Sequence, residues 1–237
     1  MKLIRRILAV LILLIVAAVS LLLFRGQSLY RTTVAQMPIE EAASQYLEMD
    51  GYLSYDEIDA DFVNAVIAVE DKRFFERHGY DWIALARAVI NNFRYKSAVE
   101  GGSTISQQIA KNLYYQTRTR GIDEKVAEVF IMHDLEDIYS KEELFALYSN
   151  MNYYGDGFWG LRQAAQGYYG VSADNLSIAK AAMLAGIPNA PGAYQLSTGY
   201  DLARSRQKKV LSRMLATGYI SQEEYNTALE EDVYPVQ

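Results

Sequence analysis

Two adjacent acids, Glu70-Asp71, close an apolar stretch and are followed by Phe74, Phe75, His78 and Gly79. A carboxylate at the edge of an apolar face can be partly desolvated, an environment suited to proton transfer. Read alone, an ordinary charged helix end is the commoner explanation. A second cluster runs Gly101-Gly102-Ser103-Thr104-Ile105-Ser106-Gln107-Gln108-Ile109-Ala110-Lys111-Asn112. Two glycines feeding a helix N-terminus offer free N–H groups and a positive dipole end to an anion. Ser103, Thr104, Gln107 and Gln108 add neutral donors, and Lys111 falls on the face of Gln107 and Gln108. Such a segment could hold a phosphate or a sugar. It lacks the Gly-Lys-Ser/Thr ending of a P-loop, and a capped core helix with a polar face explains it equally well. A third acid, Glu128, follows Glu124-Lys125 on the polar side of a helical pattern, where a lone glutamate is usually just solvated.

Other chemistry is excluded by composition. The 237 residues contain no cysteine and only two histidines, His78 and His133, so thiolate and three-histidine metal sites are out. Net charge is −6, which argues against a nucleic-acid partner. Residues 71–125 nonetheless carry 10 basic and 6 acidic side chains. A solvated mixed-charge face or a local anion site would both account for that stretch.

Helices must position these clusters. Phe62, Val63, Val66, Ile67 and Val69 form an apolar face that ends at Glu70. Trp82, Leu85, Ala86, Val89 and Ile90 predict a second helix, and Phe93 to Glu100 a flap between it and the glycines. Thr104 with Gln107 predicts a capping box. Val126, Val129, Phe130, Leu135 and Ile138 mark the helix of Glu128, and further helices are expected at 141–150, 159–169, 177–186, 200–217 and 221–230. Alternating strand patterns and hairpin turns are missing. The expected fold is mainly α, one helical domain over residues 61–237.

Ahead of it, Ile7 to Phe24 is apolar except for Ser20, after Lys2, Arg5 and Arg6. The run is long enough to span a bilayer and longer than a typical signal-peptide core, while the small residues Ala17, Ala18 and Ser20 leave a cleaved signal peptide as the alternative. The basic flank, residues 1–6, should stay cytoplasmic, which puts the rest outside. Residues 25–60 read as a stalk and lead-in of weak periodicity.

Taken together, the clusters resemble the peptidoglycan glycosyltransferases, glycosyltransferase family 51. Glu70, Asp71, Phe74 or Phe75, His78 and Gly79 are similar to the family's first motif. Gly101 to Asn112 matches Gly-Gly-Ser-Thr-Ile-x-Gln-Gln-x-x-Lys-Asn at every fixed position. Glu128 falls where the third motif, Arg-Lys-x-x-Glu, ends. Tyr148, Asn150, Tyr154, Gly155, Gly157 and Gly160 resemble the fourth motif, and Ala185 to Pro191 with Tyr194 the fifth. The resemblance implies a lysozyme-like fold behind a single N-terminal transmembrane helix, with the catalytic domain extracytoplasmic. It implies inverting polymerisation of lipid II, with the growing glycan strand as donor and a lipid diphosphate released. Ending at Gln237, the chain reads as the monofunctional type. Glu70 is then the base and Glu128 the second catalytic acid, helping departure. Asp71, Phe75, His78, Gly102, Ser103, Thr104, Gln107, Gln108, Lys111, Asn112, Arg120, Lys125 and Asn150 become substrate-binding residues. No cofactor is required, although some members use a divalent cation (Mg or Mn) at the diphosphate. Expected partners are lipid II, the glycan strand, membrane lipid, and transpeptidases or divisome proteins.

The sequence departs from the pattern at Glu124, where the family has arginine, with Arg118, Arg120 or Lys125 as substitutes. Ala146, Ser149 and Gln195-Leu196 are further departures. Two other readings stand beside the polymerase: a glycan-cleaving, lysozyme-like enzyme, and a non-catalytic lipid II-binding or scaffold protein.

Overall fold

A computed structural model of the chain describes residues 2–79, 103–116 and 121–235. Among these, the structure is helical, relieved only by one isolated bridge between Tyr153 and Trp159. The mainly α expectation holds. The helix expected over Trp82–Asn92, the flap Phe93–Glu100, and Gly101, Gly102, Arg118 and Arg120 lie outside the described residues.

Helix α1 spans Lys2–Gln36. Its apolar residues from Ile4 to Phe24 are exposed apart from half-buried Leu22, and the helix is long and apolar enough to cross a membrane. The helix runs on without a break past residue 25 into the segment expected as stalk and lead-in. Gly26, Leu29, Tyr30, Thr33 and Val34 recur at three- and four-residue spacing, one face of a helix. That face docks on helix α5 (Ile122–Ile138). Arg25 pairs with Asp123 at 2.5 Å, Tyr30 donates to Asp134 at 2.5 Å, and the Tyr30 and Phe130 rings stack at 5.5 Å. The helices cross so closely that a Cβ on Gly26 would lie 2.3 Å from Val126 Cγ1. Any larger residue there must push the two helices apart.

Helix α2 (Ile39–Leu47) contributes Ile39 and Ala43 to the core. Helix α3 (Ala60–Glu70) is the central element, with Phe62, Val63 and Ala65 to Ala68 all buried. Asp59 caps it and also accepts from Leu176 N–H at 3.0 Å. Helix α4 (Ile105–Tyr114) opens on the expected capping box. Gln107 N–H donates to Thr104 Oγ1 at 3.2 Å, and Thr104 N–H donates to Gln107 Oε1 at 3.0 Å. Helix α6 spans Lys141–Met151 and α7 Leu161–Tyr169; α8 (Ile178–Gly186) is almost wholly buried. A short α9 (Pro191–Tyr194) leads into α10 (Leu196–Thr217), which starts earlier than expected and is interrupted by non-helical Gly199. Helix α11 (Gln222–Glu230) closes the fold with the Ser221–Glu224 capping box. Helices α8 and α10 pack on α3, while α5 and α6 pack on α4. The ends of α3 and α4 are thereby brought together.

Candidate active site

The last residue of α3, Glu70, has both carboxylate oxygens engaged from other elements. Gln108 Nε2 of α4 donates to Oε2 at 2.9 Å. Arg206 of α10 donates to Oε1 at 3.0 Å, and both side chains of that pair are 16% exposed. Beneath them lies Tyr148 of α6, fully buried. Desolvation, reinforced by the charge of Glu70, lifts its phenol well above the usual 10.0, so it remains protonated. Gln108 thus joins the expected base directly to the expected anion-binding helix. Lys111 follows Gln108 by three residues, half-buried on the same face. Asn112, next along, donates to Asn152 at 3.2 Å.

A second constellation forms where α5 meets the start of α4. Glu128 is completely buried, and Lys125 Nζ donates to its Oε2 at 2.8 Å and to Ser103 Oγ at 2.9 Å. One ammonium therefore bridges the expected second acid and the segment preceding α4. Glu124, which stands in the arginine position, accepts from Gly121 N–H at 2.9 Å. It closes the N-terminus of α5, where a carboxylate is favoured by the unpaired N–H groups and the helix dipole.

Several residues expected to bind substrate hold structural contacts. Asp71 is buried, pairs with Arg77 and accepts from Ile105 N–H at 3.2 Å, so it caps α4. Thr104 and Gln107 are buried in the capping box. Asn150 spends its amide on the chain: Leu53 N–H donates to it at 2.9 Å, and its Nδ2 donates to Leu53 O at 2.9 Å and Ala146 O at 2.7 Å. Both amide hydrogens of Asn150 are thus spent on the chain, which leaves one acceptor site on its oxygen. His78 turns toward α5, with Nε2 3.2 Å from Asp137 Oδ1. Phe75 packs against Tyr55, Phe74 and Phe145 while staying 40% exposed.

Arg206 was not singled out by the sequence. It follows Ala203 by three residues and precedes Val210 by four, on the buried face of α10. A basic residue beside an apolar stripe was the available signal. Glu136 was also missed. Burial pushes its carboxyl up, but Lys141, Ser106 and the Gly79 N–H more than offset this and hold it below the usual 4.5. Among the described residues, no group of three or more His, Cys, Asp or Glu could hold a metal ion.

Comparison with known proteins adds to this geometry. Residues 36–215 match the family described as Transglycosylase. Penicillin-binding protein 1A of Aquifex aeolicus is 40% identical over 180 residues, covering 76% of this chain and 25% of that protein. A Cupriavidus necator protein provisionally named a transglycosylase is 37% identical over 196 residues, covering 83% of this chain and 84% of that one. The crystal structure of penicillin-binding protein 1A from Haemophilus influenzae aligns with a TM-score of 0.40 at 27% identity, over 57% of this chain and 17% of that one. The chain thus spans about a quarter of the length of the A. aeolicus relative and most of the C. necator one.

Proposed function

Because this chain belongs to the transglycosylase family, we propose that it polymerises lipid II into the glycan strands of peptidoglycan, at the outer face of the cell membrane. The observation that carries this reading is the hydrogen bond from Gln108 to Glu70. It supports a shared site between a carboxylate and the helix that bears Lys111.

In this reading the acceptor sugar hydroxyl attacks the anomeric carbon of the donor, and Glu70 takes its proton. The new C–O bond forms as the bond to the lipid diphosphate breaks, and the diphosphate leaves with the electron pair. Attack from the opposite side inverts the configuration. Arg206 and Gln108 orient the carboxylate. Lys111 and Lys125 meet the negative charge on the leaving group, the kind of electrostatic stabilisation worth several kcal/mol in other enzymes. Glu128 holds Lys125 toward Ser103. A divalent cation at the diphosphate would draw its ligands mainly from the substrate, and no step above passes through one.

The depth of the site suits a lipid-linked substrate. The apolar run of α1 stops at Phe24, and the next residue, Arg25, pairs with Asp123 in the first turn of α5. Lys125 is two residues further on. A diphosphate at headgroup level would therefore meet Lys125 directly.

Incubating the purified full-length chain in detergent with labelled lipid II tests the reading. Polymer is the expected product. Cleavage of preformed glycan without polymer, or binding without any product, would replace it with one of the other two readings.

A further inference from the structure

The carboxylate of Glu136, in the last turn of α5, takes no part in the chemistry above, yet it gathers donors from three segments. From the loop after Glu70 come the Gly79 N–H and Arg77 NH1 at 3.3 Å from Oε1. From the first turn of α4 comes Ser106 Oγ at 2.5 Å. From the start of α6 comes Lys141 Nζ at 2.8 Å. Arg77 reaches on to Asp71, which accepts from the first N–H of α4. Gly79 is fixed in the left-handed region, φ +75°, with a Cβ position only 2.5 Å from His133 Cε1, so a larger residue there is strained and must displace the His133 ring.

Burying such a charge is a poor way to gain stability, since packed apolar groups commonly do as well or better. What three hydrogen bonds and a lysine ion pair on one carboxylate do provide is a fixed relative position for the pieces that supply them. We propose that Glu136 is a positioning residue for glycosyl transfer. It locks the loop that leaves Glu70 against the first turn of α4, and so sets the spacing between the base and the helix that carries Gln108 and Lys111. The inference rests on the polymerase reading.

Glu136→Gln keeps the shape and turns one acceptor oxygen into a donor facing N–H, O–H or ammonium groups. Misplacement of reacting groups by about 1 Å can cost on the order of 10²-fold in rate. The experiment measures kcat and KM for lipid II polymerisation, with melting midpoints, for wild type, Glu136→Gln and Ser106→Ala in full-length protein. The expected result is a kcat lowered roughly 10²-fold in Glu136→Gln, with KM nearly unchanged and a lower melting midpoint, because Arg77 and Lys141 lose their anion, that still leaves the protein folded at the assay temperature. Ser106→Ala, which removes one donor and no charge, should fall between that variant and wild type; it also reads the effect if Glu136→Gln fails to fold. A wild-type kcat in both variants overturns the proposal, as does a loss of activity that only tracks the unfolded fraction. Absence of polymer from the wild type would instead overturn the polymerase reading, and this inference with it.

Discussion

Glu70 and Glu128 are both held by a basic side chain, but the two sites are built differently. Glu128 is buried and takes its lysine from one turn away on its own helix. Glu70 sits at the end of α3 and takes its arginine from 136 positions away. The local pair pre-forms with its helix, whereas the distant pair exists only once α3, α4 and α10 have packed. Lys125 is also 43% exposed, so it can meet a phosphate without leaving Glu128. Arg206 is nearly enclosed, which fits holding a base in place rather than catching a ligand. The difference suggests a division of labour, with orientation at Glu70 and charge capture at Lys125.

The largest expected effect is on the first site. Glu70→Gln should lower polymerisation by about 10²–10⁴-fold, the usual contribution of a general base. Lipid II binding and the circular dichroism spectrum should be retained. Next comes Lys125→Ala. A hydrogen bond to a charged group contributes about 1.5–3 kcal/mol, so lipid II affinity should fall roughly tenfold or more by equilibrium binding. The variant should also melt lower, because Glu128 is left buried without this cation. Equal affinity in wild type and Lys125→Ala would break the proposed division.

Asn150→Ala serves as a control outside both constellations. It leaves the Leu53 N–H and C=O without their partners, a cost of about 1–3 kcal/mol. At about 2–4 °C per kcal/mol for a chain of this size, melting should drop by several degrees while kcat at 25 °C stays near wild type. A kcat collapse without a melting change would keep Asn150 in the substrate site.

The smallest effect concerns acid. Glu136 has a folded-state pKa below its ordinary 4.5, so the unfolded chain takes up its proton first as pH falls. Its contribution to stability is complete above about pH 4.5 and is lost as pH drops through the folded value. Melting midpoints should decline below that pH, and less steeply in Glu136→Gln. Equal acid slopes in the two proteins would contradict the assignment.

What the sequence made legible follows the same division between local and distant contacts. The Thr104–Gln107 and Ser221–Glu224 capping boxes and α3 with its terminal Glu70 all depend on neighbours within four positions. Arg206 on Glu70, Glu136 on the Gly79 loop and Asn150 on Leu53 depend on which helices pack together, and periodicity does not carry that. The lower half of α1 is an intermediate case. Its stripe is regular, but Gly26 and Thr33 stand where large apolar residues would have made it obvious. Glu124 likewise reads in the sequence only as a departure from the family's arginine. Its place three residues after Gly121, at the head of a helix, explains the acid.

The most direct test is single-turnover polymerisation of labelled lipid II by wild type and Glu70→Gln, with lipid II affinity measured on the same preparations. Polymer from wild type, none from the variant, and matched affinities are expected. Polymer formed by Glu70→Gln at the wild-type rate would show that another group takes the proton and would contradict the role given to Glu70.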